Sequence, residues 1–175
     1  MKILALSISL LFCTFVCNAQ FVLTPDGLVS ANDASKYYVV YEFKGLMQNY
    51  LYSRILPFAK EHFIHPEDYI TEREPEQVIV GGIGINKIGT GAIKGDIVFT
   101  LSIRMEDGKL GYEVEELSFS NAVLVESEDS RKDYIFDKEG RVHNKDLKDQ
   151  VEGYFNFIVN ETNSYIKNTA NVDWL

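Results

Sequence analysis

The densest group of residues that could do chemistry lies at positions 61–68, where two imidazoles stand among three carboxylates. The group consists of Glu61, His62, His65, Glu67 and Asp68. On a helix, His62 and His65 would lie on the same side, and imidazole with carboxylate is a ligand set that zinc accepts. The spacing is not that of the H-E-x-x-H metalloprotease helix, and Pro66 breaks a helix directly after His65. A solvated helix end is therefore favoured, with His62 and His65 kept as metal-ligand candidates.

Residues 81–91 are rich in glycine and invite comparison with a phosphate-binding loop. Such a loop needs a strand-to-helix turn whose backbone N–H groups face the anion, whereas these glycines lead into another strand. Neither G-x-G-x-x-G nor G-x-x-x-x-G-K-[ST] is matched. We therefore expect a mobile hairpin loop and no nucleotide site, and we take Gly84, Asn86 and Lys87 as candidates for contact with a partner.

A run of acidic residues between positions 126 and 139 could hold calcium, a cation that prefers clustered oxygens. The acids are Glu126, Glu128, Asp129, Asp133, Asp137 and Glu139. The D-x-[DN]-x-[DN]-G loop is not matched, and lysines and arginines are interleaved with the acids. A solvated face is therefore favoured.

Covalent catalysis finds no support in the residue types present. The two cysteines, Cys13 and Cys17, both lie near the N-terminus, and no G-x-S-x-G elbow occurs. Carboxylates are numerous, but nothing in the sequence places two of them in one cleft. The sequence therefore predicts no catalytic residue and no cofactor. A carboxylate-dependent hydrolase of envelope polymers or glycans, using His62 or His65 as acid–base partner, is the enzymatic alternative.

Residues 1–19 have the pattern of a cleaved secretory signal peptide. One positive charge at Lys2 precedes an apolar run over residues 3–16, which is too short to span a bilayer, and small and polar residues follow. We expect export to the periplasm, the outer membrane or the exterior, with no transmembrane segment after processing. Acylation at Cys13 or Cys17 is the less favoured alternative, because large apolar residues precede both.

Residues 20–175 are then expected to form a single acidic domain. Loss of Lys2 leaves 16 of the 17 Lys and Arg residues against 26 Asp and Glu, so the net charge changes from −9 to −10. A nucleic acid is excluded as a partner, since phosphate binding needs a positive face. Without cysteines, the stability of this domain must come from packing.

The first elements follow from hydrophobic period. Residues 21–36 read as a lead-in with a turn at residues 24–27. Residues 37–43 are aromatic and β-branched with period two, which predicts a strand that sends Tyr38 and Val40 outward. Residues 46–63 change to a helical period, and Pro57 should kink or interrupt this helix.

Asp107-Gly108 predicts a tight hairpin, because these residues suit positive φ angles. The turn sets Met105 opposite Leu110, Ile103 opposite Tyr112 and Leu101 opposite Val114. The other face carries polar residues, with Thr100, Ser102 and Arg104 against Glu115, Glu113 and Gly111. One face of this hairpin is thus apolar and the other wet.

The C-terminal part contains a charged segment and a long helix. Residues 126–145 are expected to form a charged surface excursion that includes the short apolar group 134–136. A 3.6-residue apolar stripe then runs from Leu147 to Ile166, with Asn144 as N-cap. Two helices on the apolar face of one antiparallel sheet would bury every stripe, which predicts an α+β two-layer sandwich of β-α-β(n)-α order.

This pattern resembles domain-of-unknown-function family 4468, secreted proteins of Bacteroidetes-type bacteria with a TATA-binding-protein-like fold. The resemblance covers residues 21–120 in pattern and the last helix in topology. It is carried by Tyr38-Val39-Val40-Tyr41, Leu51-Tyr52, Ile55, Val78-Ile79-Val80-Gly81-Gly82, Phe99-Thr100-Leu101-Ser102-Ile103 and Asp107-Gly108-Lys109. The family implies this fold but no reaction and no catalytic residues, and the fold name implies no DNA binding.

Ten tyrosines and eleven phenylalanines leave room for a binding role, since tyrosine suits interfaces. The leading hypothesis is an exported, non-enzymatic domain that binds a protein or an envelope component. The predicted contact residues are Tyr38, Gly84, Asn86, Lys87, Arg104 and Glu113. A small-ligand carrier with a cavity between sheet and helices is a further alternative.

Overall fold

The computed structural model describes residues 20–63, 69–90, 93–120 and 134–172, so the predicted signal peptide lies outside the described residues. The elements follow in the order β1 (Phe21–Thr24), β2 (Gly27–Ser30), β3 (Tyr38–Glu42), α1 (Gln48–His62), β4 (Ile70–Arg73), β5 (Gln77–Thr90), β6 (Ile93–Glu106), β7 (Lys109–Ser120) and α2 (Lys145–Val172). Five strands form an antiparallel sheet in the order β3-β7-β6-β5-β4, and β1 and β2 pair separately. This arrangement confirms the predicted α+β class.

Both long helices cover the same face of the sheet, which is called the inner face below; the opposite one is the outer face. The inner-face residues of β5, β6 and β7 are buried against the stripes of α1 and α2, and the core that they form includes Val78, Val80, Ile97, Phe99, Leu101, Ile103, Leu110, Tyr112, Leu51, Ile55, Ala59, Val151, Phe155 and Ile166. Burial of this apolar surface is the main stabilising contribution to the fold.

The register predicted for the Asp107-Gly108 hairpin is confirmed next to the turn and differs further away. Met105 pairs with Leu110, Ile103 with Tyr112 and Leu101 with Val114, but Thr100 pairs with Glu116 and not with Glu115. A bulge between Thr100 and Leu101 adds one residue to β7. The extra residue keeps Leu117 and Phe119 on the inner face, where both are buried.

The prediction of a mobile glycine loop over residues 81–91 is wrong for the described part of this segment. β5 continues to Thr90, and Gly82 pairs with Phe99 while Gly84 pairs with Ile97; Gly91 lies outside the described residues. The glycines serve close packing, because a Cβ at Gly82 would lie 2.3 Å from Cζ of Phe99. A register shift between Gly84 and Ile88 makes a bulge in β5.

The charged excursion predicted over residues 126–145 is wrong at its apolar group. Ile135 and Phe136 are 1% and 4% exposed and belong to the core. Phe136 bridges to Val142, and Asp137 accepts hydrogen bonds from the backbone N–H groups of Glu139 and Arg141, which closes a turn. Residues 126–133 lie outside the described residues.

The two helices largely follow their predicted boundaries. Asn144 caps α2, since its Oδ1 accepts a hydrogen bond of 3.1 Å from the N–H of Leu147. α1 runs through Pro57 without interruption, contrary to one of the two predicted outcomes. Pro57 and Ser53 are both exposed, so water can reach the Ser53 carbonyl that lacks its usual N–H partner.

The predicted lead-in is a β-hairpin fastened to the last helix. The N–H of Phe21 donates to Asn156 Oδ1 at 2.8 Å, and Asn156 Nδ2 donates back to the Phe21 carbonyl at 3.1 Å. The N–H of Leu23 donates to Glu152 Oε1 at 2.7 Å. Side chains of α2 therefore satisfy an edge of β1 that no strand pairs with among the described residues.

Helix α1 is tied to β4 through one carboxylate, Glu72. The Tyr52 hydroxyl donates to Glu72 Oε2 at 2.7 Å, and Lys60 Nζ lies 3.1 Å from Glu72 Oε1. The hydrogen bond from Tyr52, followed by that from Lys60, lowers the pKa of Glu72 below its ordinary value. The same bond raises the pKa of Tyr52 to about 12.

We expect this contact to make stability depend on acid pH. Because the folded-state pKa of Glu72 is depressed, its contribution is present above the ordinary value of 4.5 and is lost as pH falls through the folded pKa. Urea denaturation between pH 3 and 7 should show a smaller acid loss in Glu72→Gln than in the wild type. Glu76→Gln, at an exposed glutamate three residues after the β4 strand, is the control. Identical acid profiles for the wild type and Glu72→Gln would contradict the prediction.

Candidate functional site

The fold divides the six predicted contact residues into two groups on opposite sides of the sheet. Tyr38, Arg104 and Glu113 come together on the outer face. Gly84 and Lys87 line a cleft on the helix side, at the bulge of β5. Asn86 lies between Gly84 and Lys87 within the bulge. The sequence predicted these residues as contact candidates, but it did not predict that they lie on opposite sides of the sheet.

The outer-face group surrounds a shallow depression of about 530 Å³, called the outer-face depression below. Its lining consists of Tyr38, Val40, Glu42, Arg104, Glu106, Lys109, Gly111 and Glu113. Gly111 pairs with Val40 on one side and with Arg104 on the other. Since Gly111 has no side chain, β7 leaves a gap between the larger side chains of β3 and those of β6.

The walls of the outer-face depression combine apolar and charged groups. Tyr38 and Val40 are 44% and 41% exposed, as the alternation in β3 predicts. Arg104 Nη2 lies 3.0 Å from Glu113 Oε2. An exposed ion pair of this kind contributes at most about 1 kcal/mol to stability, so its main effect is to orient the guanidinium toward Glu113.

The second site, called the bulge cleft below, has a volume of about 370 Å³ and lies between the end of α1, the middle of α2 and the β5 bulge. Gly84 allows the Tyr154 ring to lie against the strand, since a Cβ there would be 2.7 Å from Tyr154 Cζ. Burial raises the pKa of Tyr154 to about 12. Lys87 Nζ stands 5.9 Å from the centre of the same ring.

The backbone of the bulge has an uncommon conformation. Asn86 has a φ of 54°, the left-handed region that asparagine enters more readily than most residues. Its N–H donates to Asp96 Oδ1 on β6 at 2.7 Å. This hydrogen bond fixes the bulge to the neighbouring strand, and the residue that follows, Lys87, is directed toward Tyr154.

Of the two metal-ligand candidates, only His62 lies among the described residues. The imidazole of His62 stacks on the Phe58 ring at 4.0 Å between centres, and its Nδ1–H donates to the Phe58 carbonyl at 3.0 Å. His65 lies outside the described residues, as do Glu67 and Asp68. Within the residues that are described, no three His, Cys, Asp or Glu side chains group as a metal ion would require.

The predicted calcium cluster is described only at its C-terminal end. Asp137 Oδ2 lies 2.7 Å from Arg141 Nε, and Glu139 Oε2 lies 2.9 Å from Arg141 Nη2. Both carboxylates are therefore engaged with a cation of the protein. The other four acids of this cluster, between positions 126 and 133, lie outside the described residues.

Sequence reasoning missed one large part of the bulge cleft, its exposed apolar wall. Phe157, Ile83 and Ile85 are 61%, 46% and 52% exposed and line the cleft. Phe157 was detectable, because it falls outside the buried stripe of α2. The exposure of Ile83 and Ile85 is not predictable in the same way, because both lie in the segment expected to form a loop, where alternation gives no information.

The architecture defines a TBP-like two-layer α+β protein, and the comparison with known proteins bears on the fold alone. No family model and no curated protein matches the sequence. A TBP-like protein from Parabacteroides distasonis aligns with a TM-score of 0.53 and 10% identity over 75% of this chain and 92% of that chain. A DUF4468 family protein from Bacteroides ovatus aligns with a TM-score of 0.51 and 11% identity over 74% and 84%.

These structural matches confirm the resemblance found in the sequence at the level of the fold. At 10% and 11% identity they carry no information about ligands or reactions. No helix among the described residues has the length and apolar character needed to cross a bilayer.

Proposed function

We propose that this protein is an exported, non-enzymatic domain that binds a protein or an envelope component through the outer-face depression. The observation that carries the proposal is the exposure of Tyr38 and Val40 beside the Arg104–Glu113 pair, on the sheet face that the two helices leave uncovered. Aromatic and arginine side chains are the residue types that most often dominate binding energy at interfaces. Here both types border one concave surface.

The charge of this surface favours a polypeptide over a polyanion. Three carboxylates, Glu42, Glu106 and Glu113, line the outer-face depression against two cations, Arg104 and Lys109. A partner that offers an apolar side chain and a basic group complements this lining. Nucleic acid and phosphate-rich polymers would meet net negative charge, in line with the acidity of the whole chain.

Site-specific photocrosslinking tests the proposal. With p-benzoylphenylalanine in place of Val40, irradiation of the protein with envelope extract of the producing bacterium should give one discrete adduct. Adding Tyr38→Ala should weaken its formation by about tenfold, the usual effect of removing an aromatic interface anchor. The same crosslinker at Val142, which is 43% exposed, is the matched control. Equal adducts at both positions, or none at Val40, would contradict the proposed function.

The hydrolase alternative has one observation in its favour, since the three carboxylates of the outer-face depression surround a concave surface. Such an enzyme would release reducing ends from envelope glycans, and Glu113→Gln would abolish that release. If the wild type releases none from a panel of peptidoglycan and capsular polysaccharides, this alternative is eliminated.

A further inference from the structure

The bulge cleft has the dimensions and the lining of a small-molecule site. Its volume of about 370 Å³ lies within the range of about 300–1,000 Å³ that is usual for such sites. Phe63, directly after α1, and Phe157 on α2 provide apolar walls, and Ile83, which pairs with Val98, borders the cleft from β5. Phe157 keeps 61% of its surface exposed, so apolar area remains that a ligand can bury.

The two ends of the bulge cleft carry opposite charge. Lys87 Nζ stands 5.9 Å from the centre of the Tyr154 ring at one end, and none of the salt bridges between described residues includes it. Glu161 lies seven residues after Tyr154 on α2, a displacement of about 10 Å along the helix at 1.5 Å per residue. Lys87 is the one lysine or arginine among the described lining residues, which also include His62, and it is separated along α2 from the carboxylate of Glu161.

Three separate features place that cation. Gly84 lets Tyr154 lie on the strand, the left-handed Asn86 turns the backbone, and Asp96 holds the turned N–H. β-bulges commonly redirect a side chain near functional sites, and left-handed non-glycine residues concentrate at ligand-binding positions. In a regular strand, every second side chain points away from the helices. The bulge instead directs the side chain of Lys87 toward the cleft.

We propose that the bulge cleft binds a medium-chain carboxylate, with the anionic head at Lys87 and the apolar chain along Phe63 and Phe157. The Lys87 ammonium complements an anionic head group, and the apolar lining and the volume of the cleft complement a hydrocarbon chain. The site lies on the helix side of the sheet and goes beyond the proposed function, which concerns the outer face. Either proposal can fail without affecting the other.

Isothermal titration calorimetry with decanoate below its micellar concentration tests the site. We expect saturable binding of one decanoate per chain, with hexanoate weaker by about tenfold or more because each buried methylene contributes up to about 0.8 kcal/mol. Decyltrimethylammonium has the same chain with a cationic head and should not bind. Phosphatidylglycerol vesicles separate a free carboxylate from a membrane surface as the source of the anion.

Two charge-reversal variants locate the head group. Lys87→Glu should weaken decanoate binding by about tenfold or more, as expected for loss of a charged contact. Lys138→Glu makes the same charge change at an exposed lysine outside the cleft and should leave the affinity within about twofold. Circular dichroism would establish that both variants fold.

Several outcomes would overturn the inference. These are absence of decanoate binding at millimolar concentration, equal binding of decyltrimethylammonium, equal affinities in Lys87→Glu and Lys138→Glu, or binding to vesicles alone. The photocrosslinking at Val40 reports on the other face of the sheet, so its result distinguishes failure of this site from failure of the proposed function.

Discussion

Replacing Gly82 with alanine is expected to lower the free energy of unfolding by about 3 kcal/mol, the upper part of the range for overpacked cores. A Cβ at this position would lie 2.3 Å from Cζ of Phe99 and 2.7 and 2.8 Å from two further ring atoms. The ring has no room to withdraw, since Phe99 is 2% exposed and contacts the rings of Phe63, Tyr154 and Phe155 edge-on. Urea denaturation measures the loss.

Gly111→Ala is the matched control, because it adds the same methyl group to a glycine in β7 of the same sheet. The nearest atom to a Cβ at Gly111 is Cβ of Arg104 at 3.9 Å, an ordinary contact. Alanine loses less backbone freedom on folding than glycine, so stability should stay unchanged or rise slightly. Similar losses in the two variants would show that the Phe99 ring is not the cause.

Replacing Tyr112 with phenylalanine is expected to cost about 2 kcal/mol, although only one oxygen is removed. The Tyr112 hydroxyl donates to Asn163 Oδ1 at 2.8 Å, and both residues are buried. Burial raises the pKa of Tyr112 well above its ordinary value. The Asn163 Nδ2 atom already has no hydrogen-bond partner, so the variant leaves the whole buried amide of Asn163 without its partner from the sheet.

A double-mutant cycle separates this cost from general repacking. Asn163→Leu alone removes the acceptor of the Tyr112 hydroxyl, leaves Thr162 as its remaining polar neighbour and should also be destabilising, whereas the double variant removes both polar groups and should recover most of the loss. We expect a coupling of about 1–2 kcal/mol between the two sites. Strictly additive effects in thermal or urea unfolding would contradict the proposed hydrogen bond.

The strands and helices that follow a clean period were predictable, because alternation and turn chemistry are local. The Asp107-Gly108 turn fixed three residue pairs correctly, and Asn144 marked the start of α2. The register failed at Thr100, where a bulge is needed to keep Leu117 and Phe119 inside. The bulge is required by the core against which β7 packs, and the local sequence pattern of β7 does not predict it.

The glycine segment shows why composition alone misled. Gly82 and Gly84 were interpreted as loop residues. Both positions require glycine because the rings of Phe99 and Tyr154 occupy the space that a Cβ would need. The Phe99 ring comes from the next strand and the Tyr154 ring from α2, so the pairing of strands and the packing of the helix explain the choice. The same reason hid the burial of Ile135 and Phe136, whose charged neighbours in sequence are not their neighbours in space.

Individual site residues were partly predictable, and their grouping was not. Alternation identified Tyr38, Arg104 and Glu113 as outward-facing. That Lys87 would stand over Tyr154 depends on a bulge and on helix packing between residues 67 positions apart in the sequence. His62 was the most conspicuous metal-ligand candidate by residue type. Its imidazole, however, stacks on the Phe58 ring and hydrogen-bonds to the Phe58 carbonyl.

The fastening of the N-terminal hairpin to α2 constrains the order in which this chain can fold. The hydrogen bonds of Phe21 and Leu23 join residues 135 and 129 positions apart, among the longest separations that a chain of this length allows. Before α2 has been synthesised, β1 lacks the hydrogen-bond acceptors that Asn156 and Glu152 provide. Phe21 is then not yet buried against α2. Closure of the hairpin therefore has to follow the synthesis of α2, and a truncation that removes α2 would expose β1 and β2 to proteases.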